Sequence, residues 1–324
     1  MVGPADWPTY QHDNARSGVA PQMSPVGGSL SLEWRAELDG AVYGQPPVIG
    51  NQVIAATEND TVYALSARDG QVVWSVSLGR PMPGADLPCG DIDPLGITGT
   101  PAYDPDTGVV FVVAETADAR HTLAGIDLAS GAVVLRRPVP PPQGVEIAHQ
   151  QRAALTVFDG FVYVAYGGLD GDCGDYVGAV VAAPTVGTGP LRSFAVPTSR
   201  EGGIWAPSGG TVDDGRLLYA VGNGESTQAY DHSDSVLSLS PQLDLGVGGM
   251  STRLRREVSS RRSSRRRRFR AACRSLRLML VAASSGDTAR HMGHESFDTS
   301  EVAAGDAGDG AGRISVVGDG RVEG

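Results

Sequence analysis

Residues 32–79, LEWRAELDGAVYGQPPVIGNQVIAATENDTVYALSARDGQVVWSVSLG, decide the fold. Leu32–Leu38 alternates apolar and polar residues and carries Trp34; Val53–Ala56 is a short apolar run; Thr61–Ala67 holds Val62, Tyr63 and Leu65; Val72–Leu78 alternates again and carries Trp74. Gly50-Asn51, Asn59-Asp60 and Asp69-Gly70 are turn pairs between these runs. No window places apolar residues at helical spacing. Short, evenly spaced strands joined by tight turns predict an all-β sheet of the kind that forms one blade of a propeller.

The pattern returns downstream. Gly108–Val113, Gly160–Ala165 and Arg216–Val221 each resemble Asn51–Ala56, and aligning Ile54, Phe111, Tyr163 and Tyr219 gives steps of 57, 52 and 56 residues. A second column, Leu65, Ile126, Val180 and Leu239, steps by 61, 54 and 59. Two columns that keep one period near 50 residues point to a repeat array. The blades run roughly over 42–78, 97–138, 150–196 and from Trp205 to Leu245, preceded by an irregular lead-in, residues 1–29, and by a leading strand at Leu30–Leu38. This is a partial β-propeller of about four four-stranded blades over 30–245, plus one orphan strand. Seven or eight blades need roughly 350–430 residues at this period. The expectation is that the blade which should capture the leading strand is missing, and that residues 246–324 are a fused or out-of-frame segment without blades.

The residues now carry a resemblance. Ala64-x-Ser66-x-x-Asp69-Gly70-x-x-x-Trp74 resembles the repeat of pyrroloquinoline-quinone-like (PQQ-like) β-propellers, and Gly125-x-Asp127-x-x-Ser130-Gly131-x-x-x-Leu135 is a second copy with Leu135 in the Trp position. Residues 6–18, DWPTYQHDNARSG, look like the opening of the same family. The resemblance implies the propeller fold, with Trp34, Trp74, Gly70 and Gly131 as packing and turn residues. Its quinoprotein dehydrogenases carry adjacent cysteines over the cofactor and a nearby Ca²⁺; here no two cysteines are adjacent. The function expected is therefore a non-enzymatic binding scaffold with no cofactor, docking a protein or a small molecule on one propeller face. The alternatives are a quinone-dependent oxidoreductase using PQQ and Ca²⁺, and nucleic-acid binding through the C-terminal segment.

Charge separates these classes. Residues 1–250 hold 11 Arg and 28 Asp or Glu, whereas residues 251–324 hold 15 Arg and 9 acids, and the chain has no Lys. An acidic propeller does not attract nucleic acid through its faces. The 12 arginines of residues 253–277 could neutralise phosphates, but the final stretch from Ser284 has a disorder-like composition. Open blade edges would favour self-association. No run is long and apolar enough to span a membrane.

Candidate site residues follow from loop and strand position. Thr98, Thr100, His149, Gln150, Gln151, Arg152 and Trp205 enter the inner strands, which line a propeller's channel. Asp170, Asp172 and Asp175 put three carboxylates on a Gly-bent loop that could hold Ca²⁺. Cys89 and Cys173 lie in Gly/Asp-rich loops about 1.5 periods apart. They are either two unrelated thiols or a staple between blades, and a staple makes sense only in an oxidising compartment. No signal peptide is visible, so a cytoplasmic protein stays open beside the export that the family resemblance implies.

Overall fold

The computed structural model describes residues 3, 6–20, 30–226, 229–246, 302–304 and 312–319. Four antiparallel sheets follow one another along the chain. The first is β2 (Val48–Ile49), β3 (Gln52–Ala56), β4 (Thr61–Ser66) and β5 (Val72–Ser77). The second is β6 (Ala102–Asp104), β7 (Val109–Thr116), β8 (Arg120–Asp127) and β9 (Val133–Pro138). The third has an inner strand broken into β10 (His149–Gln150) and β11 (Thr156–Phe158), both paired with β12 (Phe161–Gly168), then β13 (Ala179–Pro184) and β14 (Arg192–Ala195). The fourth is β15 (Thr211–Asp213), β16 (Arg216–Val221) and β17 (Ser235–Leu239). The alternation of apolar residues produces this directly. In β3 and β4, Val53, Ile54, Ala55, Val62, Ala64 and Leu65 are all buried, because each sheet packs on a neighbour through both faces.

β1 (Leu30–Leu38) has a partner, contrary to the expectation of an orphan. It pairs antiparallel with β19 (Gly312–Asp319), from Leu30 opposite Asp319 to Leu38 opposite Gly312, and β19 pairs in turn with β18 (Val302–Ala304). The run GRISVVGD alternates as a strand, so it can supply the hydrogen-bond ladder that an outer strand needs. The expectations for residues 247–301 lie outside the described residues.

Adjacent sheets lock through one repeated device. The Trp34 indole donates to the Ala67 carbonyl (2.9 Å), and the Trp74 indole donates to the Leu128 carbonyl (2.9 Å), each reaching from an outer strand to the turn of the next blade. The turn glycines make room for them. Gly70 and Gly131 sit at φ +71° and +72°, and a Cβ there would lie 2.4 Å from the Trp34 ring and 2.8 Å from the Trp74 ring. A left-handed backbone and a ring where a side chain would stand both demand glycine.

The topology sorts the loops onto two ends. Turns between inner and second strands, and between third and outer strands, fall at one end and are short. The β3–β4, β7–β8, β12–β13 and β16–β17 turns fall at the other, together with the long connectors 79–101, 139–148 and 196–210. The lead-in crosses the short-turn end. Trp7 exchanges backbone hydrogen bonds with Val48, the Tyr103 N–H donates to the Pro8 carbonyl, the Asn14 side chain donates to the Val157 carbonyl, and the Val212 N–H donates to the Asn14 carbonyl. One short segment thus touches four successive blades. Its keystone is Arg16, 4 % exposed, whose guanidinium donates to Thr9 Oγ1, Tyr10 O and Asp13 O in the lead-in, and to Leu155 O, Thr156 Oγ1 and Gly210 O in blades three and four.

Candidate functional site at the long-loop end

The inner segments are stitched blade to blade around the axis. The Gln45 N–H donates to Thr100 Oγ1 (2.9 Å), the Leu155 N–H to the Thr100 carbonyl (3.0 Å), and the Ala154 N–H to the Pro207 carbonyl (3.1 Å). Thr98, Thr100, Gln150 and Gln151 are accordingly buried in the wall, and the Gln151 amide donates to the Ala153 carbonyl (2.6 Å). Arg152 differs: it is exposed, in the break between β10 and β11.

His149 is a structural pin. It is fully buried, its Nδ1 is 2.9 Å from the Val145 carbonyl, and its Nε2 faces the Val177 backbone, 3.3 Å from the N–H and 3.2 Å from the carbonyl. Burial lowers its pKa, so the ring is neutral at pH 7; donation from Nδ1 and acceptance of the Val177 N–H at Nε2 satisfy both nitrogens. A ring held from both sides offers no nitrogen to a ligand.

Trp205 occupies the junction of blades three and four, and the connector that carries it is zipped on both sides. The Glu201 N–H donates to the Tyr176 carbonyl, the Ile204 N–H to Tyr166, and the Gly202 N–H to Asn223, while the Gly222 N–H donates back to Gly203. The indole N–H donates to the Gly168 carbonyl (2.8 Å). Along its whole length the ring lies against glycine backbone: a Cβ on Gly167, Gly203 or Gly222 would come within 2.3, 2.7 and 2.2 Å of its atoms. The ring stays partly exposed, and Tyr176 meets it edge-on with centroids 6.3 Å apart. This is a flat aromatic platform on a bed built from three separate segments.

Around it, the Arg200 guanidinium pairs with Glu201 (2.6 Å), and the Asn223 amide donates to the other Glu201 oxygen (3.0 Å). The Tyr176 hydroxyl donates to Asp172 (2.5 Å). Burial, with the Asp172 carboxylate, raises the Tyr176 pKa, so the phenol keeps its proton. Of the candidate carboxylates, Asp172 is thus engaged with Tyr176, while Asp170 and Asp175 are exposed on the hairpin. No group of three or more His, Cys, Asp or Glu side chains among the described residues could hold a metal ion. The residues that sequence reasoning missed here are Tyr176, Glu201 and Asn223.

Cys89 and Cys173, 84 positions apart in the sequence, are joined, with Cα atoms 6.1 Å apart. The bond ties the first long connector to the β12–β13 hairpin over a small apolar cluster of Met82, Leu95 and Leu169. Replacing both cysteines by serine is expected to lower stability by about 2–4 kcal/mol, since a large loop is then freed in the unfolded chain; the urea midpoint measures it, and a reductant should reproduce the shift.

Residues 28–235 match the family model described as outer membrane protein assembly factor BamB. The chain is 27% identical over 265 residues to a polyvinylalcohol dehydrogenase of Sphingopyxis sp., covering 72% of this chain and 37% of that protein. Among solved structures, a quinohemoprotein alcohol dehydrogenase of Pseudomonas putida HK5 superposes with a TM-score of 0.57 at 22% identity, over 77% of this chain and 40% of that one. The quinohemoprotein alcohol dehydrogenase of Comamonas testosteroni gives 0.55 at 21% identity, over 74% and 40%. The structural likenesses show the propeller fold, and the chain spans about two fifths of the length of these relatives. The expectation of a non-enzymatic scaffold is overturned by the curated relative, which is a dehydrogenase. The expectation of no cofactor finds no support either, because the two solved relatives are quinohemoproteins.

Proposed function

The chain belongs to the PQQ-like repeat family described as outer membrane protein assembly factor BamB, and from that premise we propose that it is a propeller portion of a quinone-dependent oxidoreductase acting on hydroxyl-bearing substrates. The observation that carries the reading is the Trp205 platform. Three glycines from separate segments let the indole lie against backbone while it stays partly exposed, a shape that suits a planar ring and that a protein-docking scaffold does not need. The dehydrogenase relative supports it.

A quinone, when bound, would supply the oxidant, taking up two electrons and two protons as an alcohol becomes a carbonyl. The chain's own residues bind and orient. Trp205 offers its face, and Tyr176 fixes that ring from the edge. The Glu201–Arg200–Asn223 array holds the connector still. Arg152, an exposed cation beside the axis, is the group suited to a ligand carboxylate. A flat ring that carries a carboxylate suits Trp205 and Arg152. These residues do not fit a metal, since the described residues assemble no cage for one, and no step is assigned to Ca²⁺.

Location belongs to the same proposal. The Cys89–Cys173 bond suits an oxidising compartment, so we place the protein outside the cytoplasm; no helix of the described residues is long and apolar enough to cross a membrane. The test is dye-linked oxidation of polyvinyl alcohol and of a small secondary alcohol by the full chain with added PQQ and Ca²⁺. Dye reduction above the quinone-free control is expected. No turnover with any alcohol, together with no quinone binding, would overturn the reading.

A further inference from the structure

We propose that Glu58 and Asp60 form a proton-held latch that clamps the connector 79–101 onto the end of blade one, and that losing its protons at alkaline pH loosens this connector. Both residues lie in the β3–β4 turn. Asp60 has φ +54°, a left-handed conformation that among non-glycine residues favours Asn and Asp. It is fully buried, and neither carboxyl oxygen has a hydrogen-bond partner. Glu58 is 2 % exposed; one oxygen accepts the Gly96 N–H (2.7 Å), the other makes no hydrogen bond of ordinary geometry, and the Thr98 hydroxyl of the connector opposes burial by favouring the charged carboxylate. The connector lies directly on the pair: a Cβ on Gly96 would come 2.4 Å from the Glu58 carbonyl and 2.9 Å from an Asp60 carboxyl oxygen.

The surroundings do not neutralise two negative charges. Glu115, on β7, is also buried, with one oxygen unpartnered. Its cation is His121 on β8, 3.2 Å away and shared with Glu146 at 3.6 Å. Arg136, on β9, is the positive group felt by Asp60, and it donates to the Leu78 carbonyl (2.7 Å). Tyr43, which feels both Glu58 and Asp91, brings no cation, and Asp39 is taken up by the Thr57 and Thr61 hydroxyls. Protons are therefore the remaining means of neutralising the pair. Burial, reinforced by Glu115, pushes Glu58 up to about 8; burial, then Glu58 and Glu115, pushes Asp60 up to about 8.

The sign follows. A carboxyl whose closed-state pKa is raised binds its proton more tightly closed than open. Its contribution is full below about pH 4, the ordinary carboxyl value, and is lost as pH rises through about 8. The connector carries Cys89, so the latch also steadies the loop bonded to the hairpin of Tyr176. The inference does not depend on what the Trp205 platform binds.

Amide hydrogen exchange of residues 84–98 in the full chain, corrected for intrinsic rate, tests it between pH 5 and 9. Protection is expected to fall about tenfold or more between pH 6 and 8, since each retained proton gives up to tenfold per pH unit, and to level off near pH 9. The variant Glu58→Gln with Asp60→Asn mimics the protonated pair and should hold its protection within about threefold over that range. A flat wild-type profile would overturn the proposal, as would an unchanged fall in the double variant. So would a double variant that does not fold, because neutral isosteres keep every hydrogen bond the protonated pair makes.

Discussion

Arg16→Ala is expected to cost about 3–5 kcal/mol, the combined loss of several hydrogen bonds from a charged donor and of the acceptors left without it. The guanidinium makes six hydrogen bonds, three within the lead-in and three to blades three and four. Removal leaves four backbone carbonyls and two hydroxyls without this donor, and water cannot readily replace it at the buried Leu155 and Gly210 carbonyls. Burial lowers the Arg16 pKa only to about 10, so it is charged throughout the neutral range. Arg16→Lys keeps a charge but loses the planar fork that spans both groups of acceptors, so a smaller loss of about 1–3 kcal/mol is expected. Urea unfolding reads both, and a total stability of roughly 5–15 kcal/mol makes the alanine loss large. Stability unchanged in Arg16→Ala would mean that the lead-in does not tie the blades.

Trp205→Ala is expected to weaken quinone binding about 10–100-fold, the equivalent of about 1.4–2.7 kcal/mol, within the range for losing a stacked ring and its buried area. Trp205→Phe keeps part of the face and should lose less than tenfold. A fold-only role is separable: the alanine variant also leaves Gly167, Gly203 and Gly222 uncovered, so its unfolding midpoint will fall, and affinity should be measured well below that midpoint. Equal affinity in wild type and Trp205→Ala would remove the platform from the account.

The strands were legible because period-two alternation and turn pairs act locally. Gly50, Asp60 and Gly70, read from sequence as turn residues, have positive φ of 58°, 54° and 71°. The two-residue inner strand Val48–Ile49 was not legible, since a pattern needs more positions than that to show itself. The partner of β1 was missed because Gly312–Asp319 lies in a Gly-, Ala- and Asp-rich stretch whose composition outweighs its alternation. At the site, Trp205 was found from its place before an inner strand. Tyr176 and Asn223 join it only through contacts between blades, which spacing along the chain does not encode. His149 looked like a ligand because a His among polar residues looks available, and its two backbone partners, four and 28 residues away, appear only in three dimensions. Asp60 was read as half of a turn pair; that its carboxyl is buried depends on Gly96, thirty-six residues later.

The most direct measurement of the central claim is an equilibrium titration of the full chain with PQQ at pH 7, followed by tryptophan fluorescence, with dialysis to count bound quinone. Saturable binding of one quinone per chain is expected, with quenching that is largely lost in Trp205→Ala. Quinone that fails to saturate, or quenching that persists unchanged without Trp205, would contradict it.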